Sequence, residues 1–125
     1  MRFFMPRWLF SLLFVFAALP AGAGELVMFG FEGCPYCAAW ERDVGRSYDK
    51  SDVAPLLPLK RIDVKAPRPA GYEKIADIRV SPTFVILACG EEVERILGYR
   101  DNGTFWDMMD IAAAKARKRE QQKKC

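Results

Sequence analysis

The 125-residue chain contains no histidine. That absence removes Ser-His and Cys-His catalysis, zinc sites built on imidazole, and the CxxCH haem-attachment motif, whose last place is held by Ala38. Internal repeats and low-complexity stretches are missing as well, so one domain is read, with composition shifting only at the two ends. Charge of one sign is scarce: 19 basic residues stand against 16 acidic ones. Both Arg2 and Arg7 belong to a removable leader, which leaves 17 against 16, or about +1, in the working chain. So even a balance argues against a nucleic-acid partner. No twin-arginine pair precedes the leader's apolar run, which points to export in the unfolded state with no cofactor loaded beforehand.

What is present begins with that leader. Arg2 and Arg7 form a basic start, Trp8 to Leu19 is apolar, and Pro20-Ala21-Gly22-Ala23 places small residues where signal peptidase needs them. Cleavage is expected after Ala23, making residues 1–23 a signal peptide. The apolar run is too short to span a bilayer, which takes about 20 residues. Residues 24–125 suffice for one compact domain. Export also places the chain's four cysteines, Cys34, Cys37, Cys89 and Cys125, where disulfides form and persist.

Hydrophobic patterning gives the order of elements. Glu25 to Phe31 is an apolar run suited to a buried strand, and Pro35 stands where proline opens a helix. That helix is expected over Pro35 to Tyr48, burying Trp40, Val44 and Tyr48, with Gly45 weakening its end. Leu57 to Val64 reads as a second strand. Pro67 and Pro69 exclude regular structure around them, and a short helix is expected over Gly71 to Ala76. Thr83 to Ala88 and Glu92 to Leu97 form a hairpin about Cys89-Gly90-Glu91. Thr104 with Asp107 resembles a capping box for a last helix that buries Phe105, Met108, Met109, Ala112 and Ala116. From about Lys115 the chain is a basic tail, six basic residues and one acid through Lys124, read as a solvated helix end. Trp40 and Trp106 suit core packing. The parallel crossover and the antiparallel hairpin together require a mixed sheet. The expected fold is therefore α/β, a four-stranded mixed sheet in the order β-α-β-α-β-β-α with helices on both faces.

The candidate site is Gly33-Cys34-Pro35-Tyr36-Cys37, a CxxC pair at a strand-to-helix junction. Unpaired amides and the positive end of the helix dipole favour a thiolate at Cys34, so Cys34 is the expected nucleophile and Cys37, one turn on, the resolving thiol. Pro35 helps fix the turn between them. The other readings of this pair are half of a zinc site or a local staple. Zinc requires a second pair, and Cys89 and Cys125 are isolated. They are left as spare thiols, an intermolecular link or an accessory disulfide, the last requiring the tail to bend back to the hairpin with alpha carbons within about 7 Å.

Two segments give the chain its resemblance to the thioredoxin superfamily: Phe29 to Cys37, and Ile78-Arg79-Val80-Ser81-Pro82-Thr83-Phe84. The resemblance covers nearly all of residues 24–125. It implies a thioredoxin-like fold, a cis Ser81-Pro82 bond beside the cysteines, and substrate-backbone pairing at Ser81. Pro35 and Tyr36 would line the same surface, and Gly98 matches the family's glycine after the hairpin. Met28 stands where thioredoxins carry a buried acid below the cysteine pair, so proton transfer from Cys37 must use water or another group; Glu32 reads as a surface acid. Gly33 replaces the usual tryptophan before the first cysteine, which is expected to open the surface around Cys34. Cys-Pro-Tyr-Cys is the glutaredoxin dipeptide and makes glutathione a candidate partner. In its leader, short length and site the chain is similar to the small periplasmic thioredoxin-like proteins associated with bacterial sulfur-oxidation systems.

These readings imply a monomeric periplasmic dithiol reductase with no cofactor and no metal. It would act on a disulfide-bearing protein and receive electrons from a thiol-reducing membrane donor. A disulfide oxidase or isomerase, or a non-catalytic binding module on the same scaffold, are the alternatives. Oxidases of this kind carry a helical insertion for which Val64 to Ile78 is too short.

Overall fold

In the computed structural model, which describes residues 24–125, the apolar run after the leader forms the central strand β1, Gly24–Gly30. The expected signal peptide lies outside the described residues. Leu26, Val27, Met28 and Phe29 are all buried, because β1 has strands on both sides and cover on both faces. Strand β2, Leu59–Asp63, pairs with it in parallel from Leu26 opposite Leu59 to Gly30 opposite Asp63. Strand β3, Thr83–Ala88, pairs antiparallel on the other side, and β4, Glu91–Leu97, completes the hairpin. The order is β2-β1-β3-β4, a mixed four-stranded sheet as the sequence predicts.

Alternation along the strands sends Leu26, Met28, Phe84, Ile86 and Ile96 to one face and Val27, Phe29, Ile62, Val85 and Leu87 to the other. Both α-helices pack on the first face. They are α1, Pro35–Trp40, and α2, Asn102–Lys123. At their meeting point Phe84 lies with its ring 5.1 Å from Trp40 and 5.0 Å from Phe105, and the latter two rings are 5.6 Å apart. Such aromatic pairs add about 0.5–1.5 kcal/mol each beyond area burial.

The second face carries no helix among the described residues, which corrects the expectation of helices on both faces. Residues 64–80 cover it as an irregular strap that sets Val64, Tyr72, Ile75 and Ile78 against the sheet. The helix expected over Gly71 to Ala76 does not form. Arg68 lies over the Phe29 ring at 4.9 Å and donates to the carbonyls of Tyr72 and Ile75 at 3.2 and 3.0 Å, while Gly71 adopts a φ of 93°. The prolines and that guanidinium satisfy the strap without helical bonds.

The first helix is also shorter than expected. After Trp40 it widens into a π-turn over Glu41–Gly45, closed by Arg46 N–H donating to the Glu41 carbonyl at 3.1 Å, and a 3-10 turn follows at Tyr48–Lys50. Gly45 lets this turn pack closely: a Cβ there would run into the Glu41 carboxylate and stand 2.9 Å from the Trp40 ring. Trp40, Val44 and Tyr48 are buried as predicted.

Helix α2 starts earlier than its expected cap. The Asp101 carboxylate accepts the Thr104 backbone N–H at 2.8 Å and its hydroxyl at 2.9 Å, so Asp101 is the N-cap and Thr104 lies inside the first turn. Phe105, Met109, Ala112, Ala113 and Ala116 are buried, whereas Met108 is exposed. The basic tail is helical to Lys123, and three of its cations pair with β4: Lys115 with Glu94, and Arg119 and Lys123 with Glu91. It reaches the hairpin without bending back. Lys124 adopts the left-handed conformation, and the exposed last residue, Cys125, forms a disulfide with Cys89, alpha carbons 5.6 Å apart.

Candidate active site

Past Gly30 the chain turns through Phe31, Glu32 and Gly33 into α1. Gly33 has a φ of 90°, in the region that favours glycine. Cys34 caps the helix: its backbone is extended and its Sγ accepts the Cys37 N–H at 3.2 Å. Pro35 occupies the first helical position, where its missing N–H costs no helical bond. One turn of helix then brings Cys37 beside Cys34, and the two are joined in a disulfide with alpha carbons 5.2 Å apart. Contrary to the opening expected from Gly33, Cys34 is only 4% exposed and Cys37 7%. Tyr36 is the outward residue of the motif, 63% exposed.

The loop entering β3 faces this pair. The Ser81–Pro82 bond is cis, and the Pro82 carbonyl accepts the Gly98 N–H at 2.7 Å. Pro82 is buried and Ser81 half-buried, and the Ser81 hydroxyl lies 3.3 Å from Cys37 Sγ. A sulfur held in a disulfide has no proton, so Ser81 is the donor. On the sheet side of the same sulfur sits Gly30, where a Cβ would come within 2.9 Å of Cys37 Sγ. Buried Met28 fills the place beneath.

Beside the disulfide a cleft of about 370 Å³ opens between α1 and β2. Its apolar wall includes Met28, Phe31 and Ile62, and its polar rim is Glu32, Glu41, Arg61 and Asp63. Arg61 donates to both oxygens of Glu41, at 2.6 and 2.9 Å, and that bond holds the guanidinium charged more firmly than usual. Sequence reasoning did not single out Glu41, Arg61 or Asp63. One signal was there: Glu41 follows Cys37 by four residues, hence on the same helical face.

Cys89 and Cys125 are not brought to this site. The active pair and cis-proline lie at the Thr83 end of β3 and the second disulfide beyond its Ala88 end, about 20 Å away for a strand of this length.

No family model matches the chain, and no curated protein does. Among solved structures it is similar to the periplasmic thioredoxin SoxS of Paracoccus pantotrophus in its reduced form, with 32% identity, a TM-score of 0.70, and 74% of this chain and 98% of that one covered. The chain belongs to the thioredoxin family. Two further thioredoxins match in fold alone. That of Fasciola hepatica has 21% identity, a TM-score of 0.55, and 71% and 81% coverage. A mutant thioredoxin from Halobacterium salinarum has 24% identity, a TM-score of 0.55, and 74% and 76% coverage. A thioredoxin-family chain that carries a CxxC disulfide is a thiol–disulfide oxidoreductase, and disulfide-bearing proteins are the substrates such a fold suggests.

Proposed function

We propose that this thioredoxin-family chain is an exported dithiol reductase of the periplasm that reduces a disulfide on a partner protein. The observation that carries the reading is the Cys34–Cys37 disulfide at the mouth of α1, with Ser81 and Pro82 facing it. Cys34 attacks the substrate disulfide. The Cys37 N–H already aimed at its sulfur stabilises negative charge there. Cys37 then attacks Cys34, closes the internal disulfide and releases the reduced substrate. The substrate backbone docks along Ser81 and Pro82, with Pro35 and exposed Tyr36 on the same surface.

Export is supported by the leader in residues 1–23 and by similarity to a protein described as a periplasmic thioredoxin. An oxidising compartment requires a thiol-reducing membrane donor to recharge the pair. The chain's likeness to thioredoxin-like proteins of sulfur-oxidation systems supports a substrate within such a system. Glutathione fits less well than a protein: it is anionic, and the cleft beside the disulfide sets three carboxylates against one guanidinium.

The test is the reduction potential of the Cys34–Cys37 pair, with Cys89 and Cys125 replaced by serine. A value near thioredoxin's, about −270 mV, supports the reductase; one near the oxidant DsbA's, about −120 mV, would reverse the direction and favour disulfide donation or isomerisation.

A further inference from the structure

Among the described residues, the Ser81 hydroxyl is the only hydrogen-bond partner of Cys37 Sγ. This sulfur must carry a negative charge during turnover while almost wholly enclosed, and burial without a partner disfavours the charged form. β1 offers it no help, since Met28 and Gly30 are its neighbours there. The charged groups that line the adjoining cleft are Glu41 from the turn after α1, Glu32 from the loop before it, and Arg61 and Asp63 from β2. Arg61 is taken up by Glu41. The remaining charged groups of the cleft, Glu32 and Asp63, are carboxylates and have no proton to donate to a thiolate.

We propose that the Ser81 side chain is a catalytic hydrogen-bond donor to the Cys37 thiolate in the resolving step, a task separate from docking of substrate by the Ser81 backbone. The Cys37 thiol gives its proton to water in the cleft, and the thiolate accepts the Ser81 O–H. It then attacks Cys34 Sγ of the mixed disulfide. The Cys34–Cys37 bond forms, the bond from Cys34 to the substrate sulfur breaks, and that sulfur leaves as a thiolate that takes a proton from water. The two cysteines lose two electrons, which the substrate disulfide gains. Gly30 keeps clear the space in which Cys37 Sγ lies within reach of the hydroxyl. The inference rests on the oxidoreductase chemistry and holds for either direction of net flow.

A single-turnover reaction with a chromogenic aryl disulfide, supplied at one equivalent, separates the two steps. The first aryl thiolate appears when Cys34 attacks and the second when Cys37 resolves. In the Cys89→Ser, Cys125→Ser background only the active pair reacts. Ser81→Ala is expected to leave the first release within about twofold. It should slow the second about tenfold near neutral pH and raise the midpoint of its pH profile by about one unit, the loss of one hydrogen bond to a charged acceptor. Ser81→Thr, which keeps the hydroxyl, should restore both. A second release that keeps its rate and pH midpoint in Ser81→Ala, or equal slowing of both releases, would overturn the proposal. Absence of both releases in the chain that retains Ser81 would overturn the oxidoreductase assignment itself.

Discussion

Replacing Cys89 and Cys125 with serine removes a cross-link between residues 36 apart in sequence. The chain-entropy treatment of a loop of that size gives about 4 kcal/mol at 25 °C, lost through greater freedom of the unfolded chain. Native contacts around the bridge survive the substitution and hold the folded state together. Lys115, Arg119 and Lys123 remain paired with Glu94 and Glu91, although exposed ion pairs add only about 0–1 kcal/mol each. Phe105, Met109, Ala112, Ala113 and Ala116 still seat α2 on the sheet. Disulfides commonly deliver somewhat less than the chain-entropy value, so the expected loss is about 2–4 kcal/mol. A domain of ordinary stability, about 5–15 kcal/mol, stays folded after it.

Urea unfolding of the oxidised protein and of the double-serine variant measures the difference, with a steeper slope expected for the variant because its unfolded chain, freed of the cross-link, exposes more surface. On heating, the same loss lowers the midpoint by about 10 °C or more for a domain of this size. Disulfide exchange at Cys34 should be unaltered, because the length of β3 separates the two bridges. Coincident unfolding curves would refute the reasoning, since the loop would then contribute nothing to the unfolded ensemble. A variant that loses exchange at Cys34 would refute the claimed independence of the two ends.

Three other outcomes follow from the packing and the titrating groups. Phe84→Ala empties the centre of the aromatic contact with Trp40 and Phe105 and should cost about 3–5 kcal/mol in urea unfolding. Gly45→Ala places a methyl against the Glu41 carboxylate and 2.9 Å from the Trp40 ring and should destabilise by about 1–3 kcal/mol, where an ordinary helical glycine would gain from the same change. Burial, followed by hydrogen bonds to Asp43 and Glu25 respectively, pushes Tyr99 and Tyr72 up to about 12, against an ordinary value of 10.0. With folded values raised, the stability these phenols contribute is complete below about pH 10 and is lost as pH rises through about 12. Phenolate absorbance and urea midpoints recorded across that window check it; midpoints that stay constant would contradict the assignment.

The parts of this molecule legible in its sequence are those whose cause is local. Val27 and Phe29 alternate with Leu26 and Met28 along a strand buried on both faces, and the hairpin is marked by Cys89-Gly90 between an apolar run and a more polar strand. Cys34 and Cys37 announce themselves by spacing alone, since one helical turn brings two sulfurs together wherever such a motif opens a helix. The structure departs from the sequence reading where a side chain three to seven residues away competes for the local backbone. Arg68 takes the Tyr72 carbonyl that a helix over Gly71 to Ala76 would need, and Gly45 lies against the Glu41 carboxylate and the Trp40 ring. Asp101 claims the amide that Thr104 was expected to leave for its own cap.

At the site, distance along the chain sets the limit. Spacing could nominate the nucleophile, but it could not supply the environment of Cys37, which is assembled from segments far apart in the chain. Ser81 reaches that sulfur across 44 residues and Arg61 meets Glu41 across 20. The absence of an acid at Met28 was visible in the sequence as a gap in the proton chemistry, whereas the hydroxyl facing the sulfur becomes visible only once β3 lies beside β1. Chemistry that depends on one helical turn can thus be read from spacing. The tuning of that chemistry belongs to the sheet order β2-β1-β3-β4, which brings Gly30, Arg61 and Ser81 to the same end of the molecule.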